Sequence, residues 1–211
     1  MPLANAFPEL PRDVFAKADP SPDVRFYAQA RLVTHIDEAA VAAVTQLYRE
    51  VLPPGGVILD LMSSWVSHLP DDVTYAEVIG HGMNAQELAA NPRLDCRFTQ
   101  DLNAEPVLSL PHASVDAACM CVSIQYLQHP AAVLSSLAQA LRPEAPVVIT
   151  FSNRCFPTKA VAIWQALEGR DQCRLVELYL RRAGFHLIEA RELLDGRNSD
   201  PLWAVTGRVP G

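Results

Sequence analysis

Three polar residues stand where apolar segments of the chain end, and their types suit the binding of a small polar molecule. Asp60 closes one apolar segment, Asp101 follows a second and Ser123 follows a third. If these segments are parallel strands, their carboxyl ends meet at one edge of a sheet, which is where such sheets bind ligands. A carboxylate accepts a hydrogen bond from an amine there, and a hydroxyl donates or accepts one. The sequence therefore predicts a ligand site at this edge.

The elements that position these residues alternate between strands and helices. Apolar segments predict strands over 57–61, 75–80, 96–99, 115–122 and 147–151. Helical spacing and end signals predict helices over 35–52, 84–91, 130–141, 159–167 and 171–183. Two further strands, 185–194 and 202–209, are joined by a short loop, which makes them antiparallel. This order predicts an α/β, Rossmann-like fold with a seven-stranded, mostly parallel sheet, helices on both faces and an antiparallel C-terminal hairpin.

Residues 1–34 differ from the rest of the chain in composition. Prolines interrupt any regular element there, whereas aromatic residues favour burial. The aromatic residues are Phe7, Phe15, Phe26 and Tyr27. We predict an arm packed on the core over 1–34, with a lid over a ligand site as the second interpretation. Residues 35–211 are then enough for one domain with a single core.

The composition argues against several classes of protein. Seventeen Lys and Arg against 24 Asp and Glu give a formal net charge of −7 without any basic run, so binding to nucleic acid or to a membrane surface is not expected. The apolar runs predict neither a membrane-spanning segment nor a secretory leader. Five cysteines without a C-x-x-C pair, and six histidines without the spacing of zinc ligands, predict a metal-free cytoplasmic protein.

Six short segments follow one another along the chain in a distinctive order and spacing. The segments are Val57–Leu61 with its acid, Val78–Gly80 with Asn84, Gln100-Asp101, Ser114–Ala117, Ser123–Leu127 and Leu141–Pro143. In this order and spacing, the chain resembles the class I S-adenosylmethionine-dependent methyltransferases over residues 35–209, especially the small type 11-like domains. The resemblance implies their fold, and it implies S-adenosylmethionine as the cofactor.

The resemblance also implies a set of site residues. Cofactor contacts are expected from Asp60, Met62, Ser63, Ser64, Gly82, Met83, Asn84, Asp101, Leu102 and Ser123. Among them Asp101 matches the acid that receives the adenine amine. Candidates for work on the acceptor are Tyr126, His129 and Asn153, and His129 is a candidate base because its usual pKa lies near neutrality. A fixed catalytic motif is not required, since methyl transfer depends mainly on alignment of the two reactants.

The sequence departs from the family in the loop after the first strand and at the end of the second. Met62, Ser63 and Ser64 replace the Gly-x-Gly that lets the backbone approach the cofactor. Either side chains grip the ligand, or the pocket is filled by its own side chains, notably Trp65. Gly82 replaces the acid that binds the ribose hydroxyls.

Two neighbours of Gly82 are candidates to replace that acid, His81 and Asn84. Each also has a simpler interpretation, because Asn84 suits the cap of a helix and His81 suits an ordinary loop position.

Three hypotheses about function follow. The first is a methyltransferase that acts on a small molecule, because the Asn-Pro-Pro-Tyr type of signature for methylating nucleic-acid bases is absent. The alternative is a non-catalytic protein with the methyltransferase fold that serves as a scaffold or binds a protein partner. A nicotinamide-dependent oxidoreductase fits less well, because a pyrophosphate needs glycines after the first strand.

Overall fold

The described residues form one sheet of seven strands. These span Val57–Asp60 (β1), Glu77–Gly82 (β2), Cys96–Thr99 (β3), Ala117–Cys121 (β4), Pro146–Phe151 (β5), His186–Leu194 (β6) and Leu202–Arg208 (β7). The computed structural model describes residues 6–11 and 13–211. The spatial order is β3-β2-β1-β4-β5-β7-β6, and β7 runs antiparallel to both β5 and β6. The other pairings are parallel, so the predicted fold class is confirmed.

Helices cover both faces of this sheet. They span Asp23–Phe26 (α1), Glu38–Val51 (α2), Ala85–Ala90 (α3), Pro130–Ala140 (α4), Ala162–Gln165 (α5) and Arg170–Arg182 (α6). Val148 of β5 packs in a cluster with α2, whereas its neighbours Val147 and Ile149 pack in a cluster with α4 and α6. Successive strand residues point to opposite faces, which explains this division. In the described part of the chain, no helix is long and apolar enough to cross a bilayer.

The predicted helix over 159–167 is wrong for most of its length, since α5 has only four residues. The segment before α5 uses its backbone elsewhere. The N–H of Val161 donates to the carbonyl of Gln125 at 3.0 Å, and Val161 forms an isolated bridge with Lys17. The side chain of Lys159 is fully buried. Tertiary contacts therefore replace the helical hydrogen bonds that the spacing predicts.

The connection between β1 and β2 contains no helix over residues 61–76. Parallel strands are usually joined through a helix. Here the segment is irregular, and Leu69 and Tyr75 bury their side chains in the cluster that also holds α2. Pro70 interrupts the segment, and proline in a helix interior costs about 3 kcal/mol. The loop after β1 consequently has no helix N-terminus to offer to a ligand.

Candidate functional site

A cavity of about 510 Å³ opens at the carboxyl edge of the parallel strands. It is lined by the ends of β1, β2, β3, β4 and β5 and by part of the N-terminal segment. Its size falls within the range of small-molecule sites, and it lies where the strand order reverses between β1 and β4. Its wall includes Asp60, Met62, Ser63, Ser64, Gly82, Met83, Asn84, Asp101, Leu102 and Ser123. The structure therefore brings together all ten residues that the resemblance assigns to a cofactor.

Asp60 holds its own loop in place. Its buried carboxylate accepts a hydrogen bond from the hydroxyl of Ser63 at 2.6 Å and a second from the hydroxyl of Ser67. Ser67 in turn accepts one from the amide of Asn91 at 3.0 Å. Burial raises the pKa of Asp60, and the serine hydroxyls oppose that rise. This polar network supports the loop that replaces the glycine-rich turn.

The loop after β1 takes a glycine-like conformation without a glycine. Met62 has a φ of 57°, a left-handed value that costs a side-chain-bearing residue about 1–2 kcal/mol. The N–H of Met62 donates to Nδ1 of His81 at 3.2 Å, and the N–H of Ser63 donates to the carbonyl of His81 at 2.7 Å. These bonds to the neighbouring strand offset the cost of the turn.

His81 is a buried residue of β2, so its interpretation as a loop histidine is wrong. Its Nδ1 accepts from Met62, and its Nε2 lies 3.1 Å from the carbonyl of Gln100. A carbonyl only accepts, so Nε2 carries the proton and the ring is neutral. Phe98 lies edge-on to the ring at 5.1 Å. His81 thereby ties the β1 loop to the end of β3.

Neutral His81 predicts a loss of stability in mild acid. Burial lowers its pKa to about 4, whereas an unfolded histidine takes up its proton near pH 6.5. The unfolded state therefore binds more protons between these values, and the free energy of unfolding should fall by about 3 kcal/mol as the pH drops from 6.5 to 4. Urea unfolding across this range tests the effect. His81→Gln is the matched variant, since its amide can donate and accept but does not titrate, and its curve should lack this fall. A parallel fall in both proteins would contradict the prediction.

Gly82 explains why the acid expected at the end of β2 is absent. A Cβ atom at this position would lie 2.5 Å from the carbonyl oxygen of Ser63 and 3.1 Å from a methyl group of Leu88. Side-chain atoms do not approach a backbone oxygen so closely. The loop after β1 thus occupies the space that the acid would need, and the two departures from the family pattern are one structural feature.

Asp101 and Ser123 each present a polar atom without a protein partner. Oδ1 of Asp101 accepts from the N–H groups of Asn103 at 2.9 Å and Ala104 at 3.3 Å. Its Oδ2 accepts no hydrogen bond from any residue that the structure describes. The hydroxyl of Ser123 is buried and, within the same residues, equally unpartnered. Buried polar groups are normally satisfied, so the hydroxyl of Ser123 has an unused hydrogen-bonding capacity beside the cavity. Oδ2 of the partly exposed Asp101 is open to solvent or to a ligand.

The side chain of Asn84 makes two pairs of structural hydrogen bonds. Its Oδ1 caps α3 by accepting from the N–H groups of Gln86 and Glu87, at 2.9 and 3.0 Å. Its Nδ2 donates to the carbonyls of Tyr27 and Ala28, at 2.9 and 3.2 Å. The cap is the one the sequence predicts. The bonds to the N-terminal segment were not foreseen, and they occupy both hydrogens of the amide.

The three candidates for acceptor chemistry do not converge. Tyr126 lines the cavity, where its hydroxyl accepts from the N–H of Phe156 at 2.9 Å, and burial raises its pKa far above the usual value. His129 precedes the first residue of α4, and Asn153 is exposed. Neither lines the cavity. Their roles stay predictions, and the geometry places only Tyr126 beside a ligand.

Little in the sequence indicated the cavity residues that the N-terminal segment supplies. They include Asp23, Tyr27, Arg31 and His35, which lie on a stretch with no regular pattern. The aromatic residues of this stretch are the one signal that indicated burial. We use the name arm for residues 13–34, the continuous described part of the predicted arm.

Two hydrogen bonds fasten the C-terminal part of the arm to the core. Beside β2, the N–H of Arg31 donates to Glu87 at 2.7 Å. Beside β1, the indole of Trp65 donates to the carbonyl of Val33 at 3.0 Å. Trp65 does not line the cavity, so the interpretation in which it fills the pocket is wrong. The arm therefore forms part of the cavity wall, and Trp65 helps to hold it there.

A buried ionic cluster fastens the other part of the arm. The Nζ of Lys159 lies 3.0 Å from a carboxylate oxygen of Asp19 and 3.3 Å from one of Asp23, and it donates to the carbonyl of Ser21 at 2.8 Å. Lys17 also pairs with Asp23. Both lysine side chains and that of Asp23 are almost inaccessible to solvent. Among the residues that the structure describes, no three His, Cys, Asp or Glu side chains are grouped as metal ligands.

Comparisons with known proteins identify the fold. No protein-family model and no curated protein sequence matches the chain. A chain in a complex of a methyltransferase activator and a methyltransferase from Haloferax volcanii superposes with a TM-score of 0.61 at 13% identity, over 82% of this chain and 91% of the other. An Aquifex aeolicus S-adenosylmethionine-dependent methyltransferase gives 0.59 at 16% identity, over 81% and 91%.

A third match is the S-adenosylmethionine-dependent methyltransferase from Mesorhizobium loti, with a TM-score of 0.55 at 19% identity over 79% of this chain and 97% of the other. Identities this low establish architecture and not reaction. The strand order, the antiparallel β7 and these superpositions lead to one conclusion. The chain has the fold of the class I S-adenosylmethionine-dependent methyltransferases.

Proposed function

We propose that this protein is an S-adenosylmethionine-dependent methyltransferase that acts on a small molecule. The observation that carries the proposal is one cavity at the reversal of strand order, with two polar groups in its wall: the partly exposed carboxylate of Asp101, whose Oδ1 alone accepts hydrogen bonds from described residues, and the buried, unpartnered hydroxyl of Ser123. A carboxylate oxygen at the end of β3 suits an exocyclic amine, which is the part the resemblance assigns to adenine.

The residues of the cavity fit the cofactor, but side chains replace part of the backbone contact that a glycine-rich turn would make. Asp101 would bind the adenine amine, and the apolar side chains of Leu102, Met83 and Met62 would pack against the adenosine and the sulfur. Once bound, the cofactor supplies an electrophilic methyl group. The backbone N–H groups of Met62 and Ser63 are bonded to His81, so this loop offers a ligand fewer free N–H groups than a glycine-rich turn does. Side chains must therefore do more of the binding.

The remaining wall would receive and orient the acceptor. Tyr126 and Phe156 stack with ring centroids 6.0 Å apart, and the ring of His35 lies edge-on to Phe156 at 5.3 Å. Burial lowers the pKa of His35, so its imidazole is neutral at pH 7 and able to take a proton from an acceptor. The raised pKa of Tyr126 makes that hydroxyl a donor and not a base. The arm forms part of the wall of this compartment.

Calorimetric titration with S-adenosylmethionine and S-adenosylhomocysteine tests the proposal. Micromolar binding, about −8 kcal/mol, is expected for a working cofactor site. NADH serves as the control ligand, because the loop after β1 offers no glycine-rich turn for a pyrophosphate. The absence of heat at millimolar ligand, with an unchanged melting temperature, would overturn the proposal. That outcome would favour the non-catalytic alternative, and a search for a protein partner would follow.

The contact assigned to Asp101 has a matched pair of variants. Asp101→Asn keeps an oxygen to accept from Asn103 and Ala104 but puts an amide donor opposite the adenine amine. We expect its affinity for S-adenosylhomocysteine to fall about tenfold or more, as for loss of a hydrogen bond to a charged group. Asp71→Ala, an exposed carboxylate outside the cavity, is the control. Equal affinities for Asp101→Asn and wild type would show that Asp101 does not contact the adenine.

A further inference from the structure

The amino-acid end of the cofactor carries a carboxylate, which needs hydrogen-bond donors or a cation when it leaves water. In this protein the first three backbone donors after β1 are already used. The N–H of Leu61 donates to the carbonyl of Cys119 at 2.9 Å, and those of Met62 and Ser63 donate to His81. The hydroxyl of Ser63 donates to Asp60. Residues 61–63 therefore offer this carboxylate no free backbone N–H.

Two arginines line the cavity, and they differ in their pairing. Arg154 forms an ion pair with Asp200 at 2.7 Å. Arg31 has no carboxylate within 4.0 Å of its guanidinium among the residues that the structure describes. Its guanidinium carbon lies 4.5 Å from the ring centroid of Phe26 and 5.5 Å from that of Phe156. Stacking on these two rings holds the cation in the cavity wall and leaves its charge uncompensated.

The backbone of Arg31 is fixed as firmly as its side chain. Its N–H donates to Oε1 of Glu87 at 2.7 Å, and its Nη2 donates to the carbonyl of Phe26 at 2.9 Å. Nη1 makes only a long contact of 3.4 Å to the carbonyl of Gln29. Several donors at the edge of the guanidinium thus stay free. A stacked guanidinium with free edge donors is preorganised to bind a carboxylate.

We infer that Arg31 binds the carboxylate of the cofactor's amino-acid group, in the role that a glycine-rich turn fills elsewhere. This inference rests on the proposed function. It makes the arm part of the cofactor site, and it supplies a cation beside a loop in which the N–H groups of residues 61–63 are already bonded. The other source of such a carboxylate is the methyl acceptor, and the choice of ligands separates the two.

The test compares two ligands on three variants. S-adenosylhomocysteine carries the amino-acid group, whereas 5′-methylthioadenosine keeps the adenosine and the thioether but lacks it. We expect Arg31→Met to weaken S-adenosylhomocysteine binding about tenfold or more and to change 5′-methylthioadenosine binding by less than about twofold. Arg31→Lys should recover part of the loss, because it keeps the charge but not the planar fork. Arg25→Met is the control, since Arg25 is exposed on the same arm and does not line the cavity.

Each result decides the inference. If Arg31→Met binds S-adenosylhomocysteine as tightly as wild type, Arg31 does not hold the cofactor's carboxylate. If both ligands lose affinity equally, Arg31 shapes the site through the arm and the inference is again wrong. If wild type binds neither ligand, the proposed function fails together with the inference. A selective loss for S-adenosylhomocysteine supports both.

Discussion

Restoring the family's acid at position 82 is expected to damage the protein. Gly82→Asp places a Cβ atom only 2.5 Å from the carbonyl oxygen of Ser63. It also puts a charge beside that oxygen. Overpacking costs about 1–3 kcal/mol, and an unpaired buried charge adds to it, so a loss of about 4 kcal/mol in the free energy of unfolding is expected. Binding of S-adenosylmethionine should weaken and not improve, because the loop after β1 must move. Urea unfolding and calorimetric titration measure the two effects.

Two controls separate the causes of that loss. Gly82→Ala adds the Cβ without the charge and should keep most of the destabilisation. Gly207→Ala adds a Cβ to β7 whose nearest neighbours lie at 3.4 Å or beyond, an ordinary contact distance, and should be close to neutral. Wild-type stability in Gly82→Asp, or tighter cofactor binding, would show that the loop after β1 yields readily and that the acid is missing for another reason.

Removing the buried ammonium of Lys159 should release the arm. Lys159→Met leaves Asp23 with Lys17 as its one remaining cation among the described residues and removes the Nζ that donates to the carbonyl of Ser21. Breaking a buried ion pair costs about 3–5 kcal/mol, so we expect about 4 kcal/mol here. The arm should become sensitive to chymotrypsin at Phe26 and Tyr27. Binding of S-adenosylmethionine should weaken in parallel, because the arm forms part of the cavity wall.

The matched control is Arg49→Met, which breaks an ion pair of similar geometry on the surface. Nη2 of Arg49 lies 2.6 Å from Oδ1 of Asp72, but the two side chains are 39% and 67% exposed, compared with 0% for the side chain of Lys159. Exposed pairs contribute about 0–1 kcal/mol, so this variant should remain near wild type in stability and in protease resistance. Equal behaviour of the two variants would mean that the ionic cluster does not hold the arm.

The loop after β1 combines several departures from the family's pattern. Three features there depend on one another: the left-handed turn at Met62, the neutral ring of His81 and the absence of a side chain at Gly82. Each alone departs from the family's pattern. Together they form a loop that is closed by side chains and neighbouring strands instead of by glycines, and a cofactor would have to be held by Asp101, Ser123 and the arm.

The sequence by itself determined the fold, because local patterns specify buried parallel strands. The run Pro146–Phe151 is apolar except for Thr150 and is buried throughout, as a strand covered on both faces must be. Asn84 and Pro130 mark the starts of α3 and α4 as predicted. The positions of Asp101 and Ser123 also followed, since the end of each strand in this topology fixes which residues face the cavity.

Only the tertiary structure decided which polar groups near the carboxyl edge of the sheet are already held by hydrogen bonds or ion pairs and which are not. His81, Lys159 and Arg31 look alike in sequence, as single polar or charged residues in undistinguished surroundings. In the folded chain His81 braces a loop, Lys159 fastens the arm, and Arg31 alone of the three has an unused charge in the cavity wall. Each has a partner far away in sequence: Met62 for His81, the arm for Lys159, and Phe156 in the loop after β5 for Arg31. Strand periodicity is a local property, whereas hydrogen-bond and ion-pair satisfaction depends on contacts that form only when distant segments pack together.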